Sequence, residues 1–129
     1  MDEPGSPAPI TAPSQPPLVG VVGPCAAGKS SLINRLKADG YTRVRHIAQE
    51  HSYVAEMWKR ITHPDILVFL QVSYPVTLQR RNMDWTEKEY LEQLRRLQHA
   101  RRHADLVIDT DNLSLDQVTE QVERFLQSL

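Results

Sequence analysis

The chain has 129 residues, of which 24% are charged and 40% are hydrophobic, and its formal net charge at pH 7 is −1. This length suits one small α/β domain. The near-neutral charge gives the chain no general electrostatic attraction for nucleic acid, and no apolar run is long enough to cross a bilayer. The single cysteine excludes an internal disulfide. We therefore expect a cytoplasmic protein that binds neither nucleic acid nor a membrane.

The first 17 residues differ in composition from the rest of the chain. Most of the nine prolines lie there, and Ile10 is the only large aliphatic residue apart from Met1. A segment of this kind cannot bury enough apolar surface to fold on its own. The sequence therefore predicts a disordered, proline-rich tail at residues 1–17 and one folded domain at residues 18–129.

Residues 23–30 read Gly-Pro-Cys-Ala-Ala-Gly-Lys-Ser and match the phosphate-binding pattern G-x-x-x-x-G-K-[ST]. Residues 18–22 before them are apolar and β-branched, which is typical of a strand buried in a parallel sheet. Leu32, Ile33 and Leu36 then recur at helical spacing, and Gly40 predicts the end of that helix. The 23–30 loop therefore joins a strand end to a helix start, where free backbone N–H groups favour an anion.

We predict that this loop binds a nucleoside triphosphate together with Mg²⁺. Lys29 would reach the terminal phosphates as a point charge, and the hydroxyl of Ser30 would take one position on Mg²⁺. The sequence contains no Asn-Lys-x-Asp guanine-recognition motif, so ATP is the expected nucleotide. The residues assigned to nucleotide binding are Gly23, Pro24, Cys25, Ala26, Ala27, Gly28, Lys29, Ser30 and Ser31.

Three more strands and four more helices are predicted after this point. Residues 43–48 alternate like a strand, and an amphipathic helix follows with Val54, Met57, Trp58 and Ile61 on one face. Residues 66–72 predict the third strand and residues 106–108 the fourth. Between them a helix starts near Pro75, and a second one runs from a capping box at residues 86–89 to about residue 104.

The apolar faces of the last two helices are also predicted. Tyr90, Leu91, Leu94 and Leu97 form the apolar side of the helix that ends near residue 104. A capping box at residues 114–117 opens the final helix, and the inward side chains there are Val118, Val122, Phe125 and Leu129. Strands that alternate with helices predict an α/β three-layer sandwich with a parallel sheet of about four to five strands. Its ligand is expected at the C-terminal strand ends.

This order of elements resembles the small P-loop kinases, a group that includes shikimate, gluconate and nucleoside monophosphate kinases. The resemblance covers residues 18–129, and its specific part is the 23–30 loop. Residues 104–111 are similar to the final strand and adenine-side loop of those kinases, and residues 67–81 to a strand that leads into their lid. The resemblance implies the P-loop NTPase type of fold. It also implies that Arg80 or Arg81 stabilises charge on the transferred phosphoryl group.

One acidic residue is the best candidate for the metal or the acceptor. The strand that begins at residue 66 ends in Gln71 rather than in an acid, whereas Glu50 follows the strand at residues 43–48. Glu50 is therefore predicted to hold Mg²⁺ or to act as a base on an attacking hydroxyl group. The pair Gln49-Glu50 also resembles the second switch of small GTPases, in which a glutamine orients the attacking water.

Three functions follow from these assignments. The leading prediction is an ATP-dependent kinase for an unknown small-molecule acceptor, with Lys29, Glu50, Arg80 and Arg81 as the catalytic residues. The short segment at residues 41–64 leaves little room for an acceptor domain and favours the first alternative, a nucleotide hydrolase or switch with water as the acceptor. The second alternative is a nucleotide-binding module without turnover that acts through the proline-rich tail.

Overall fold

In the computed structural model, which describes residues 15–82 and 84–129, strands alternate with helices along the chain. The strands are β1 (Val19–Val22), β2 (Val44–His46), β3 (Ile66–Gln71) and β4 (Leu106–Asp109). The helices are α1 (Lys29–Ala38), α2 (Tyr74–Arg80), α3 (Glu87–His103) and α4 (Leu115–Gln127). A 3₁₀ turn at Gln49–His51 and a π-helical turn at Trp58–Thr62 lie between β2 and β3. Of the predicted tail, residues 1–14 lie outside the described residues.

The four strands form one sheet in the order β2-β1-β3-β4, and every pair is parallel. Val19 of β1 lies opposite Val44 on one side and Ile66 on the other, which fixes the register of the central strands. The predicted α/β class with a parallel sheet is confirmed. Because β1 lies between β2 and β3, the loop that leaves its C-terminal end is flanked by the ends of both neighbours.

Helices cover both faces of this sheet. Val19 and Val21 of β1 pack with Leu32 and Leu36 of α1 and with Val122 of α4. On the opposite face, α3 and the π-helical turn contribute Leu97, Ala100 and Trp58 to a second cluster, which also contains Val22, Leu67 and Phe69 from the sheet. This arrangement is compatible with the predicted three-layer sandwich. Among the described residues, no helix combines the length and the apolar character needed to cross a membrane.

The two predicted capping boxes are present. The hydroxyl of Thr86 accepts from the backbone N–H of Glu89, whose carboxylate accepts from the N–H of Thr86, and α3 begins at the next residue. Ser114 and Gln117 make the same reciprocal contacts at the start of α4. These ends are therefore set by local hydrogen bonds that the sequence pattern identifies.

The predicted amphipathic helix around residues 54–61 is wrong. Val54 is 48% exposed and Ile61 is 72% exposed, and only a five-residue π-helical turn forms there. The cause is the amide side chain of Gln49, which donates to the carbonyl of Val54 at 2.9 Å and accepts from the N–H of Trp58 at 2.9 Å. These bonds replace the backbone bonds that a regular helix would make, and they hold the segment as irregular turns.

Two predicted inward side chains are exposed instead. Leu91 on α3 is 53% exposed, because it lines a cavity between α3 and the C-terminal end of β3. Leu129 is 66% exposed, since it lies two residues beyond the end of α4 at Gln127. Tyr90 and Leu97 are buried as predicted.

Candidate functional site

The 23–30 loop leaves β1 and turns into α1 through unusual backbone angles. Gly23 must be glycine, because a Cβ there would lie 2.3 Å from the carbonyl oxygen of Leu70. Ala26 and Gly28 both have positive φ, at 67° and 97°. A positive φ is uncommon for alanine, and strained residues of this kind cluster at ligand sites. The loop is therefore held in a conformation that a plain connection would not need.

The start of α1 faces outward without a cap. Gly28 occupies the N-cap position and no side chain caps the helix, so the first N–H groups of α1 lack side-chain acceptors. A Cβ built on Gly28 meets nothing within 4 Å, which shows open space in front of the loop. Ser30 and Ser31 are exposed in the first turn. The positive end of the helix dipole is thus accessible at this point.

Lys29 is turned back into the loop. Its side chain is 7% exposed, and its ammonium group donates to the carbonyls of Gly23 and Pro24 and, at 2.9 Å, to Oε2 of Glu50. An ammonium group has three donors, and all three are used here. Lys29 therefore links the loop to the segment after β2 in the structure as it stands.

Glu50 lies beside the loop as the sequence predicted from its place after β2. The 3₁₀ turn Gln49–His51 puts the carboxylate next to Lys29, and its side chain is 3% exposed. Its Oε2 binds Lys29, but its Oε1 is buried and has no hydrogen-bond partner among the described residues. A buried oxygen without a partner is costly, so the position suits a ligand that would satisfy it.

Gln49 does not face this site. Its side chain is fully buried, and its amide donates to the carbonyls of Val54 and Arg96 while its oxygen accepts from the N–H of Trp58. These bonds tie the 3₁₀ turn to α3 and to the π-helical turn. The predicted role in orienting an attacking water is therefore not compatible with the conformation observed.

Helix α3 makes hydrogen bonds both to the 23–30 loop and to the 3₁₀ turn that carries Glu50. Gln93 accepts from the backbone N–H of Cys25 at 3.0 Å and donates to the Cys25 sulfur at 3.2 Å. Arg96 donates to the backbone carbonyl of Glu50 at 3.3 Å. No sequence pattern indicated either contact, because 68 positions separate Cys25 from Gln93 and 46 separate Glu50 from Arg96.

His46 at the end of β2 lies in the field of the ion pair. Burial lowers the pKa of His46, and the positive charge of Lys29 lowers it further, while Glu50 acts in the opposite direction. The imidazole is therefore biased toward its neutral form. It lines the same cavity as the loop and Glu50.

The two predicted arginines differ in what they contact. Arg80 donates to the carbonyl of Ala26 at 3.0 Å, and to the hydroxyl and carbonyl of Thr110 at 3.0 and 2.6 Å. Its planar group thereby clamps the loop to the end of β4. Arg81 is exposed and lines both cavities that border the loop. Both arginines are exposed, but Arg80 is held by these three hydrogen bonds, whereas none is found for the Arg81 side chain among the described residues.

Two adjacent cavities surround the loop. One, of about 180 Å³, is bounded by the loop on one side and by His46, Glu50, His51 and Arg81 on the other. The second, of about 310 Å³, lies between the loop, α2 and the start of α4, and is lined by Gly28, Ser31, Arg80, Arg81, Thr110, Leu113 and Leu115 among others. The predicted site residues of the loop, Glu50 and both arginines therefore meet at one end of the sheet.

A larger cavity, of about 750 Å³, lies elsewhere, between α3 and the C-terminal ends of β3 and β4. It is lined by no residue of the 23–30 loop, and Arg101 crosses it to donate to the Gln71 side chain at 3.2 Å. His99 and His103 are four residues apart on α3, a spacing found in metal sites with two histidines. Their rings stack with centroids 4.3 Å apart, and Nδ1 of His99 accepts from the indole N–H of Trp58. Volume alone does not mark the site, because the buried charges and the strained backbone are at the loop.

No protein-family model matches this chain, and no curated protein matches it at a significant level. The likeness to small P-loop kinases therefore depends on the residues and the geometry described above.

Proposed function

We propose that the 23–30 loop binds the phosphates of ATP with Mg²⁺, and that the chain is a small kinase of the P-loop NTPase type. The observation that carries this proposal is the position of Lys29 and Glu50. They form a buried pair at 2.9 Å, directly beneath an uncapped helix start and a loop with two positive φ angles. Burying two charges is expensive, and a site that exchanges partners on binding gives a reason to retain them.

The three partners of Lys29 define what binding must change. All three ammonium donors are committed, so Lys29 reaches a phosphate only by giving up one of them. Glu50 is the partner most readily exchanged, because the two loop carbonyls move with Lys29 while Glu50 belongs to a different segment. Phosphate binding would then replace one anionic partner of Lys29 with another.

The residues present fit a hard divalent cation. Glu50 offers an unpartnered carboxylate oxygen, and the exposed hydroxyl of Ser30 lines the same cavity. Oxygen donors of this kind are those that Mg²⁺ prefers, so Ser30 and Glu50 would hold it. Mg²⁺ would neutralise charge on the phosphates when bound.

Transfer to an acceptor hydroxyl is favoured over hydrolysis by one observation. Gln49 is the residue predicted to orient a water molecule, but its amide nitrogen and oxygen are both hydrogen-bonded to backbone groups outside the site. Arg81 lines both cavities at the loop, where a guanidinium can bridge two phosphate oxygens whichever acceptor is used. Arg80 instead connects Ala26 of the loop to Thr110 by hydrogen bonds. We assign Arg81 to the transferred phosphoryl group and Arg80 to positioning the loop.

Binding without turnover is the second candidate. The hydrogen bonds of Lys29 to the loop carbonyls and to Glu50 are equally compatible with a loop that binds a nucleotide and does not react with it. A cytoplasmic location and a small-molecule acceptor stay part of the kinase proposal.

The first test is calorimetric titration of the protein with a slowly hydrolysed ATP analogue, with and without Mg²⁺, and with the GTP analogue in parallel. We expect magnesium-dependent binding that prefers ATP. Lys29→Met should abolish it, whereas Lys37→Met, an exposed lysine on the same helix, should leave it unchanged. Because Lys29→Met also disturbs a buried pair, Arg81→Ala serves as a second variant on an exposed residue. Binding that is equal in all four proteins would overturn the proposal.

The second test separates kinase, hydrolase and binder. ATP consumption is measured alone and then with pools of hydroxyl-bearing small molecules. A kinase consumes ATP only when an acceptor is added, a hydrolase consumes it in water, and a binder consumes it in neither case. Consumption in water that is unaffected by acceptors would replace the kinase assignment with the hydrolase one.

A further inference from the structure

We propose that Cys25, Glu50 and His51 form a binding site for a thiophilic divalent cation of the Zn²⁺ class, and that this cation and the magnesium nucleotide exclude each other. The location of the cation site is argued from the side chains alone. The mutual exclusion depends on the proposed function, because it requires a nucleotide at the same loop.

The three ligand atoms lie close together although they come from two segments. One atom each from the Cys25 thiol, the Glu50 carboxylate and the His51 imidazole lie within 4.8 Å of one another. Sulfur, nitrogen and oxygen donors in this combination suit Zn²⁺, which is bound by cysteine, histidine and carboxylate ligands. Mg²⁺ takes oxygen ligands and has little use for the thiol or the imidazole. The cluster therefore selects a different metal from the one expected with a nucleotide.

An independent observation points to a missing cation at this place. Oε1 of Glu50 is buried and has no partner among the described residues, although Oε2 of the same group binds Lys29. A cation on Oε1 would satisfy that oxygen without requiring Lys29 to leave Oε2. The negative charges of Glu50 and of a Cys25 thiolate would also offset the charge of a divalent ion next to Lys29.

Two of the three ligand residues are held in place by hydrogen bonds, and the third has an exposed side chain that can rotate. Gln93 holds Cys25 by two hydrogen bonds, and Arg96 holds the backbone of Glu50, so both are positioned by α3. The imidazole of His51 is 61% exposed, with Nε2 at 3.7 Å from Oε2 of Glu50, and it can rotate onto an ion bound at Oε1. Cys25 is only partly buried, and all three residues line the cavity of about 180 Å³. An ion can therefore enter from solvent.

The binding step is an exchange of a proton for the metal. The S–H bond of Cys25 breaks, a sulfur–metal bond forms, and the proton passes to solvent. Glu50 and His51 supply a carboxylate oxygen and an imidazole nitrogen, and water completes a tetrahedral set in the remaining position. No change of oxidation state occurs.

Glu50 is the residue that makes the two ligands compete. The same carboxylate is assigned to Mg²⁺ in the nucleotide complex, and a thiophilic ion bound to it would also stand at the face of the 23–30 loop. With the ion at about ten times its own Kd, the apparent affinity for the ATP analogue should therefore fall about tenfold, as competition for one site requires.

The test uses Co²⁺ as a spectroscopic probe on the full chain kept reduced. Thiolate coordination gives a sulfur-to-cobalt charge-transfer band in the near ultraviolet, and we expect one equivalent to bind in the presence of excess Mg²⁺. Cys25→Ser should abolish the band. His51→Asn should weaken cobalt binding by more than about tenfold. The matched control is His63→Asn, because His63 is also exposed and asparagine tolerates its positive φ.

The outcomes of this test are distinct. A missing band, or equal affinity in His51→Asn and His63→Asn, would overturn the site. Cobalt binding that leaves the affinity for the ATP analogue unchanged would overturn the exclusion. If cobalt binds with the expected variant pattern while no nucleotide binds at all, the cation site is supported and the proposed function fails, so the two failures are separable.

Discussion

Two ion pairs in this protein have almost the same separation and very different surroundings. Lys29 and Glu50 lie 2.9 Å apart with 7% and 3% of their side chains exposed, beneath the 23–30 loop. Arg124 and Glu120 lie 3.0 Å apart on α4 with 75% and 61% exposed. The distance between charges is thus a poor guide to what a pair does. Water screens the second pair, whereas the first has given up its hydration and depends on its partner.

The buried pair is therefore better understood as part of a site than as a source of stability. Replacing a buried pair by apolar residues is often neutral or stabilising, so stability alone does not explain its presence. Its place at an uncapped helix start, with one carboxylate oxygen left over, is where exchangeable charges are useful.

The largest expected effect comes from breaking the buried pair on one side. Glu50→Gln leaves the ammonium of Lys29 buried without its anion, and Lys29→Met leaves the carboxylate without its cation. We expect each variant to lower the free energy of unfolding by about 3 kcal/mol, the low end for buried pairs, because a cavity reaches these groups. Urea denaturation measures the change.

The double variant Lys29→Met with Glu50→Gln tests the interpretation. It leaves no unpaired charge, so it should be less destabilised than the sum of the two single variants. Strictly additive losses would mean that the two side chains act separately and would remove the ion pair from the account of this site.

A smaller effect is expected from the clamp between the loop and β4. Arg80→Lys cannot bridge Ala26 and Thr110, because an ammonium lacks the planar fork of the guanidinium. Loss of these hydrogen bonds should cost about 1–2 kcal/mol in urea denaturation. Arg81→Lys is the matched control, since Arg81 lines the same cavity without the hydrogen bonds that hold Arg80, and it should change nucleotide affinity more than stability. Equal stability of the two variants would show that Arg80 does not hold the loop.

The pKa of His46 reports the charge of each partner separately. The charge of Lys29 lowers this pKa and that of Glu50 raises it, so Lys29→Met should move it up and Glu50→Gln should move it down. The histidine Cε1–H resonance followed by NMR against pH measures both shifts. Shifts of the same sign in the two variants would contradict the geometry.

The lowered pKa of His46 also fixes a dependence of stability on pH. The usual value is 6.5, and the folded value lies below it, so the unfolded chain takes up the proton first as the pH falls. This contribution to the free energy of unfolding is complete above about pH 6.5 and is lost below it.

The parts of the fold that the sequence predicted are those with local causes. Strand β1 and most of β3 are apolar runs, β2 lies in the alternating segment at residues 43–48, the 23–30 loop is one octet, and the capping boxes span four residues each. Sheet order was left open, because no local pattern says which strands become neighbours. The position of Glu50 was predicted from its place after a strand, but its bond to Lys29 joins residues 21 positions apart.

The failures have a common physical origin in side chains that act across the fold. The amphipathic pattern at residues 54–61 predicted a helix, but buried Gln49 takes the hydrogen-bonding groups of that segment. Its neighbour Glu50 was placed well because a short turn fixes it. Two adjacent polar residues thus have different surroundings, one tied into the core and one beside the 23–30 loop, and their order in the sequence does not distinguish them.

The smallest effect is expected at the surface pair that completes the comparison. Arg124→Ala removes a contact between two exposed side chains one helical turn apart, so the free energy of unfolding should change by no more than about 0.5 kcal/mol. That change should shrink further when urea denaturation is repeated at high salt, because mobile ions screen exposed charges. The loss in Glu50→Gln should depend much less on salt, since screening by mobile ions is weaker for a pair with so little exposed surface. A surface loss as large and as insensitive to salt as the buried one would mean that burial does not separate these pairs.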